Sequence, residues 1–266
     1  MTTLPRVNVL GVGVHAVNMQ QAVSYLIEAA LRRQKGYVCV TGVHGVMEAQ
    51  NDERFREILN TSLLTTPDGM PTVWVGKATG HSTMGRVFGP DLMLNLCRES
   101  VPLQLKHFLY GGTPGIAQEL KRNLQQRFPG LHVVDTYTPP FRPLNAEERS
   151  QLANKVCEAK PDIFWVGLST PKQERFMAEY LPKLNATIMI GVGAAFDLHT
   201  GRMKDSPEWI KNNGLQWAHR LVQDPRRLWK RYFVNNPKFL AAITAQLTGI
   251  RRYSLPSHTE PISNVA

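Results

Sequence analysis

The chain has 266 residues, 42% of them hydrophobic and 20% charged, with a formal net charge of +10. That balance rules out a disordered polymer and suits one large domain or a domain with an appendage; three cysteines without a C-x-x-C pair argue against a disulfide framework or zinc site and fit a reducing cytoplasm. The first residues lack a signal-peptide layout, and no apolar run reaches the roughly 18–20 residues that span a bilayer.

In chain order, Val7–Val14 alternates into Gly11-Val-Gly and reads as a first strand and turn. Met19–Arg33 has apolar residues at helical spacing and a basic end. Tyr37–Val43 reads as a buried strand ending in Thr41-Gly-Val-His44, followed by helices over Val46–Gln50 and Glu53–Leu59. Leu63–Gly69 is a short buried segment that delivers Asp68 to a turn. Pro67 presets its own φ, Thr66 is biased toward extended geometry, and Gly69 permits the turn. A helix over Met70–Gly80 puts Asp68 beside a helix N-terminus; locally it reads as a turn or capping aspartate. Asp91 reads as the N-cap of a helix over Leu92–Glu99.

Leu105–Tyr110 is a strand, Gly111-Gly-Thr-Pro-Gly115 a turn, Ile116–Phe128 a helix and Leu131–Tyr137 a strand. A loop at Pro139–Pro143 precedes a helix over Ala146–Ala159 opened by Asn145. Ile163–Leu168 is a strand ending in Ser-Thr-Pro-Lys-Gln173 before a helix over Glu174–Leu181. Thr187–Val192 is a strand running into Gly193-Ala-Ala-Phe-Asp197.

This alternation, with continuously apolar inner strands, predicts an α/β fold: a mainly parallel, Rossmann-like sheet with helices on both faces, over residues 1–206. Ligands of such sheets sit beyond the carboxyl ends of the strands. Thr41, His44, Asp68, Gly111, Gly112, Thr170, Gln173, Gly193 and Asp197 all fall there and are expected to share a crevice. Residues 207–253 read differently, as a helical basic appendage. Arg220 to Arg252 holds eight Lys/Arg against one acid, Asp224, interleaved with Trp and Tyr. Pro225 restarts a helix after Asp224. In one continuous helix Arg220, Arg227 and Arg231 share a face, a register that Pro225 can interrupt. Residues 254–266 read as a disordered tail. A basic appendage calls for an anionic partner: a membrane surface, nucleic acid or a phosphorylated substrate.

The glycines of 111–115 either let backbone N–H groups approach a phosphate or simply make a strand-to-helix turn. Asp197 can accept from a ribose or a base, or cap a helix. Gln173 suits a hydroxyl-rich ligand but in isolation reads as a solvated helix start. His44 is a polar core residue or a pH-sensitive site group. No H-E-x-x-H, cysteine quartet or Asp-x-Asp pair occurs, so neither a metal site nor a cofactor is expected.

Taken together, these segments resemble the bacterial WecG/TagA/CpsF glycosyltransferases, family 26. The matching pieces are Thr-Pro-Asp68-Gly69, Arg86 with Gly-Pro-Asp91-Leu-Met, Phe-Leu-Tyr-Gly-Gly-Thr-Pro-Gly, Val-Gly-Leu-Ser-Thr-Pro-Lys-Gln173-Glu and Gly-Val-Gly-Ala-Ala-Phe-Asp197. Gly-Leu-Gln-Trp-Ala-His-Arg220-Leu and Asp-Pro-Arg-Arg227-Leu-Trp-Lys-Arg-Tyr follow in the family's order. The resemblance implies inverting transfer from a UDP-sugar to an undecaprenyl-diphosphate-linked saccharide, at the inner face of the cytoplasmic membrane. It implies Asp68 as catalytic base, Gln173 and Asp197 in the nucleotide-sugar site, and Arg86 beside it. Arg220, Arg227, Lys230 and Arg231 are implied as the membrane- and acceptor-facing arginines and lysine; self-association is compatible with this reading. The chain departs from the family at Thr41-Gly42-Val43-His44, where Thr-x-Asn is common, at Asp205 for Arg, and at Gln216 for Glu. Two rivals stand beside it: a nicotinamide-dependent oxidoreductase, which lacks the full G-x-G-x-x-G fingerprint, and a nucleic-acid-binding protein, which leaves the strand-end motifs unexplained.

Overall fold

The computed structural model describes residues 4–207, 209–210 and 214–256; the side chains of Arg227, Lys230 and Arg231 lie outside the described set, as do residues 257–266 of the expected tail. The chain opens with an antiparallel hairpin, β1 (Arg6–Val9) and β2 (Val12–His15), set apart from the main sheet. The sequence reads as a first strand and a turn here, and the structure adds a second strand after the turn. The reversal comes from Leu10 and Gly11, at φ +54° and +82°, a two-residue turn whose twist matches that of the strands. Leu10 tolerates this left-handed conformation because it is buried and clasped. Its N–H donates to Gln246 Oε1 (2.8 Å) and its carbonyl accepts from Gln50 Nε2 (2.8 Å). Gln246 Nε2 also donates to the Asn8 carbonyl at 2.7 Å, and Asn8 Nδ2 donates to the Tyr253 carbonyl at 2.6 Å.

After α1 (Met19–Leu31) come β3 (Gly36–Thr41), α2 (Val43–Asn51), α3 (Glu53–Asn60), β4 (Leu64–Pro67) and α4 (Met70–Ala78). Then follow α5 (Gly89–Ser100), β5 (Lys106–Gly111), α6 (Ile116–Arg127), β6 (His132–Tyr137), α7 (Ala146–Ala159), β7 (Ile163–Gly167), α8 (Lys172–Tyr180), β8 (Ile188–Gly191) and α9 (Ala195–His199). The six strands β3 to β8 form one sheet in the order β4-β3-β8-β7-β5-β6, each neighbouring pair parallel.

Successive strand residues point to opposite faces, and this sheet has a separate core on each. Tyr37, Cys39, Phe108, Tyr110, Phe164, Val166 and Met189 meet residues of α2, α3, α7 and α8 and the hairpin. Val38, Val40, Leu109, Ile163, Trp165, Ile188 and Ile190 meet α1, α5, α6 and α9. With both faces covered, the strands lose the polar alternation of a half-exposed sheet, as their sequences predict.

Two junctions bear on the site: the start of α5, which departs from the sequence reading, and the break before Pro225, which follows it. α5 starts three residues earlier, with Phe88 at its N-cap, Pro90 in its first turn and Asp91 inside it rather than capping it. Proline's fixed φ is already helical, which lets the helix begin there. In the C-terminal segment, α10 (Gln216–Gln223) and α11 (Pro225–Leu247) are separate helices, because Asp224 leaves helical geometry at φ −141°. Arg220 therefore does not share a continuous helix with Arg227 and Arg231. Phe239 and Ile243 of α11 are buried in the first of the two cores, so this helix is built onto the sheet.

His107, wholly buried in β5, accepts a hydrogen bond at Nδ1 from Trp165 Nε1 (2.9 Å). Burial, with a smaller contribution from the neighbouring His132, holds its pKa down at about 3. The unfolded chain takes up this proton near pH 6.5, whereas the folded chain does not until about pH 3. Stability is therefore expected to fall as pH drops below 6.5, by about 1.4 kcal/mol per pH unit from this residue. Urea unfolding between pH 7 and 4.5 measures it. His107→Asn should be less stable at pH 7 but lose stability less steeply below 6.5; equal slopes in the two proteins would refute the assignment.

Candidate active site

Asp68 stands one residue beyond the last rung between β3 and β4, where Thr41 pairs with Pro67. Its backbone is held on both sides. The N–H donates to the Thr41 carbonyl at 3.1 Å, and the Asp68 carbonyl accepts from Arg86 Nε at 2.7 Å. The carboxylate lies beside the bare Cα of Gly42, where an added Cβ would come within 3.7 Å of Oδ2. Gly69, the N-cap of α4, has φ −117°, so the turn needs no left-handed residue. A side chain there would first meet Pro71 Cδ, and glycine instead leaves the rim beside Asp68 open.

Arg86 is fixed by three contacts. Besides its bond to the Asp68 carbonyl, its second terminal nitrogen donates to Gln216 Oε1 of α10, and its guanidinium lies 4.4 Å over the Phe88 ring. Sequence reasoning noted Gln216 only as a departure from a pattern; here it ties the C-terminal helices to the residue that holds the Asp68 turn.

Two recesses meet at Asp68. The larger, about 370 Å³, runs across the carboxyl ends of the strands and is lined by Asp68, Gly112, Gln173, Gly193, Asp197 and Arg220 among others. That size is within the range of small-molecule sites. The smaller, about 110 Å³, is lined by His44, Asp68, Gly69, Arg86, Trp217 and Arg220, with Tyr232 and Asn236 behind. Asp68 and Arg220 line both. Thr41 and Gly111 line neither. Thr41 is buried beneath Asp68. Gly111, at φ +130°, lies so close to β7 that a Cβ would meet the Gly167 carbonyl at 2.5 Å, which only glycine permits. Arg227, Lys230 and Arg231 belong to α11, and their side chains fall outside the described set.

Two helix N-termini face the larger crevice, whose charged side chains are Lys172 and Arg220 against Asp68 and Asp197. The N-terminus of α5, at Phe88, Gly89 and Pro90, lines it, and so does that of α8, at Thr170, Lys172 and Gln173. Helix N-termini present unpaired N–H groups and partial positive charge, and Lys172 and Arg220 add full charges.

Gln173 is 3% exposed and is a clamp rather than a solvated helix start. Its Oε1 accepts from the Gly193 N–H (3.0 Å) and its Nε2 donates to Glu174 Oε1 (3.1 Å), which also accepts from Thr170 Oγ1 (2.8 Å). Glu174, 1% exposed, was not legible as a site residue, since a glutamate in a first helical turn ordinarily faces water. Cys39 lies below it, its thiol pushed well above the ordinary range by burial and then by the Glu174 charge, so it stays protonated. His44 places Nδ1 3.7 Å from Glu48 Oε1 and 3.5 Å from Asn235 Nδ2 of α11. Among the described residues no group of three His, Cys, Asp or Glu side chains could hold a metal ion.

Comparison with known proteins gives this geometry a family. The chain is 27% identical over 243 residues to an N-acetylglucosaminyldiphosphoundecaprenol N-acetyl-β-D-mannosaminyltransferase of Bacillus spizizenii, covering 91% of each chain. A protein of the same name from Bacillus subtilis is 25% identical over 227 residues, covering 85% of this chain and 86% of that one. The signature of the glycosyl transferase WecG/TagA/CpsF family matches residues 7–253. With nearly its whole length matched, and with the strand-end crevice that its motifs anticipate, the chain belongs to the WecG/TagA/CpsF family of glycosyltransferases.

Proposed function

We propose that this chain transfers a sugar, with inversion, from a UDP-sugar to a hydroxyl of an undecaprenyl-diphosphate-linked saccharide, in the synthesis of a bacterial cell-surface polysaccharide. The observation that carries the reading is that two recesses, one lined by helix N-termini, meet at a single carboxylate, Asp68. The relatives' names support the acceptor class and the β-linked product. A β-product from an α-linked nucleotide sugar needs one in-line displacement and one base. In this reading the acceptor hydroxyl enters the smaller recess and gives its proton to Asp68. Its oxygen bonds to the anomeric carbon as the bond from that carbon to the diphosphate oxygen breaks. UDP departs with the bonding electrons, and its growing negative charge meets Arg220, Lys172 and the N-termini of α5 and α8. Gln173 holds the Gly193 loop at the floor of that site, and Asp197 accepts from the nucleotide.

No helix among the described residues is long and apolar enough to cross a membrane. We place the protein at the inner membrane surface through residues 207–253, where Trp217, Trp229 and Phe233 are exposed beside the basic residues. The decisive experiment is a donor screen against a lipid-diphosphate saccharide in anionic liposomes, with UDP-N-acetylmannosamine as the first donor. Transfer is expected from a UDP-sugar, unchanged by EDTA, with the protein sedimenting on the liposomes at low salt and released at high salt. Loss in EDTA with rescue by Mg²⁺ or Mn²⁺ would overturn the metal-independent mechanism. Binding of NAD or oligonucleotide but not UDP would favour the rivals.

A further inference from the structure

Phe141 is 87% exposed, more than any other large hydrophobic residue described, yet it lines the donor crevice. Its loop is not loose. Arg142 forms a two-pronged ion pair with Glu148, at 2.7 Å to each oxygen, and Glu148 also accepts from the Asn145 N–H at the start of α7 (2.8 Å). Arg149 Nη1 donates to the Leu144 carbonyl at 2.7 Å, and Pro139, Pro140 and Pro143 fix φ on both sides of the ring. A stiff loop that carries one bare aromatic ring to the wall of a polar crevice leaves its apolar surface unused until something flat covers it.

We propose that Phe141 is the platform on which the nucleobase of the donor nucleotide stacks. This rests on the nucleotide-sugar reading above. The order of the sheet sets the direction of the ligand. Asp68 follows β4 at one edge, and the Phe141 loop follows β6 at the other. The donor sugar must lie next to Asp68, because its anomeric carbon meets the hydroxyl that Asp68 deprotonates. The diphosphate comes next, against the N-termini of α5 and α8. The nucleobase is the remaining part, farthest from Asp68, and there the crevice offers a π-face. The acceptor has no comparable claim on Phe141, because its hydroxyl must reach Asp68 at the opposite edge.

Phe141→Ala and Phe141→Trp in the full chain test this, by calorimetric binding of UDP, ADP, GDP and inorganic pyrophosphate. The ring is exposed, so both variants should keep the wild-type melting temperature. Loss of one base–aromatic stack should weaken UDP binding about 5- to 150-fold in Phe141→Ala, while pyrophosphate, which has no base, binds as before. Phe141→Trp should keep UDP affinity within a factor of about three, since a larger π-face replaces the ring. In turnover, Phe141→Ala should raise KM for the donor with kcat nearly unchanged. Equal UDP binding by wild type and Phe141→Ala, or an equal loss for pyrophosphate, would overturn the assignment while leaving the donor reading intact. If ADP or GDP binds in place of UDP and Phe141→Ala weakens it, stacking stands and uridine falls. If wild type binds none of the three nucleotides, both readings fall.

Discussion

Asp68→Asn is expected to lower kcat by about 10²–10⁴-fold, the usual contribution of a positioned general base. The substitution keeps the size of the side chain and leaves the backbone contacts to Thr41 and Arg86 in place, since both use main-chain atoms of residue 68. Donor affinity should therefore change little, and kcat and kcat/KM should fall together, the signature of an interaction made in the transition state. Single-turnover transfer with saturating donor, with UDP affinity measured beside it, separates chemistry from binding. If a folded Asp68→Asn protein turned over near the wild-type rate, the base would have to be sought elsewhere, with His44 in the smaller recess the next to examine.

Arg220→Ala should cost about 10²–10³-fold in kcat, comparable to removing one preorganised donor from a developing anion. Arg220 lines both recesses beside Asp68. Among the described basic residues it alone lines both recesses, so in the proposed reaction it would meet the departing diphosphate. Arg220→Lys should recover part of the loss, because the charge remains while the planar two-pronged donor does not. A purely structural role makes a different forecast, in which Arg220→Ala loosens α10, lowers the melting temperature and leaves kcat nearly unchanged in the protein that remains folded. Kinetics and a thermal melt on the same preparation distinguish the two.

The α/β sheet was legible because its signal is local. Apolar β-branched runs, Asn145 as a cap and Pro-Asp-Gly as a turn are each decided within a few residues. The carboxyl-end rule then gathers scattered motifs into one place: Asp68, Gly112, Gln173, Gly193 and Asp197 do line one crevice, whereas His44 lines only the smaller recess and Thr41 and Gly111 line neither. What was not legible depended on distant partners. That the turn in Val7–Val14 returns as a second strand rests on Gln50 and Gln246 satisfying its left-handed residues. That Gln173 is a buried clamp rests on Gly193 and Glu174. That Gln216 reaches Arg86 rests on a separation of 130 residues. Phe141 left a faint mark, a lone aromatic among prolines in a polar loop, which gains meaning only beside a crevice.

The clasp of Gln246 on residues 8 and 10 has a consequence for how the protein is made. Those contacts span 238 and 236 residues. The hairpin leaves the ribosome well before its partner, because 236 or more residues separate them. At roughly 5–20 residues per second, the nascent chain carries an unclasped turn for about 10–50 s. The sheet strands and their helices emerge in order during that interval. The hairpin turn thus locks only after Gln246 has been made, which leaves it open to chaperones and proteases until then.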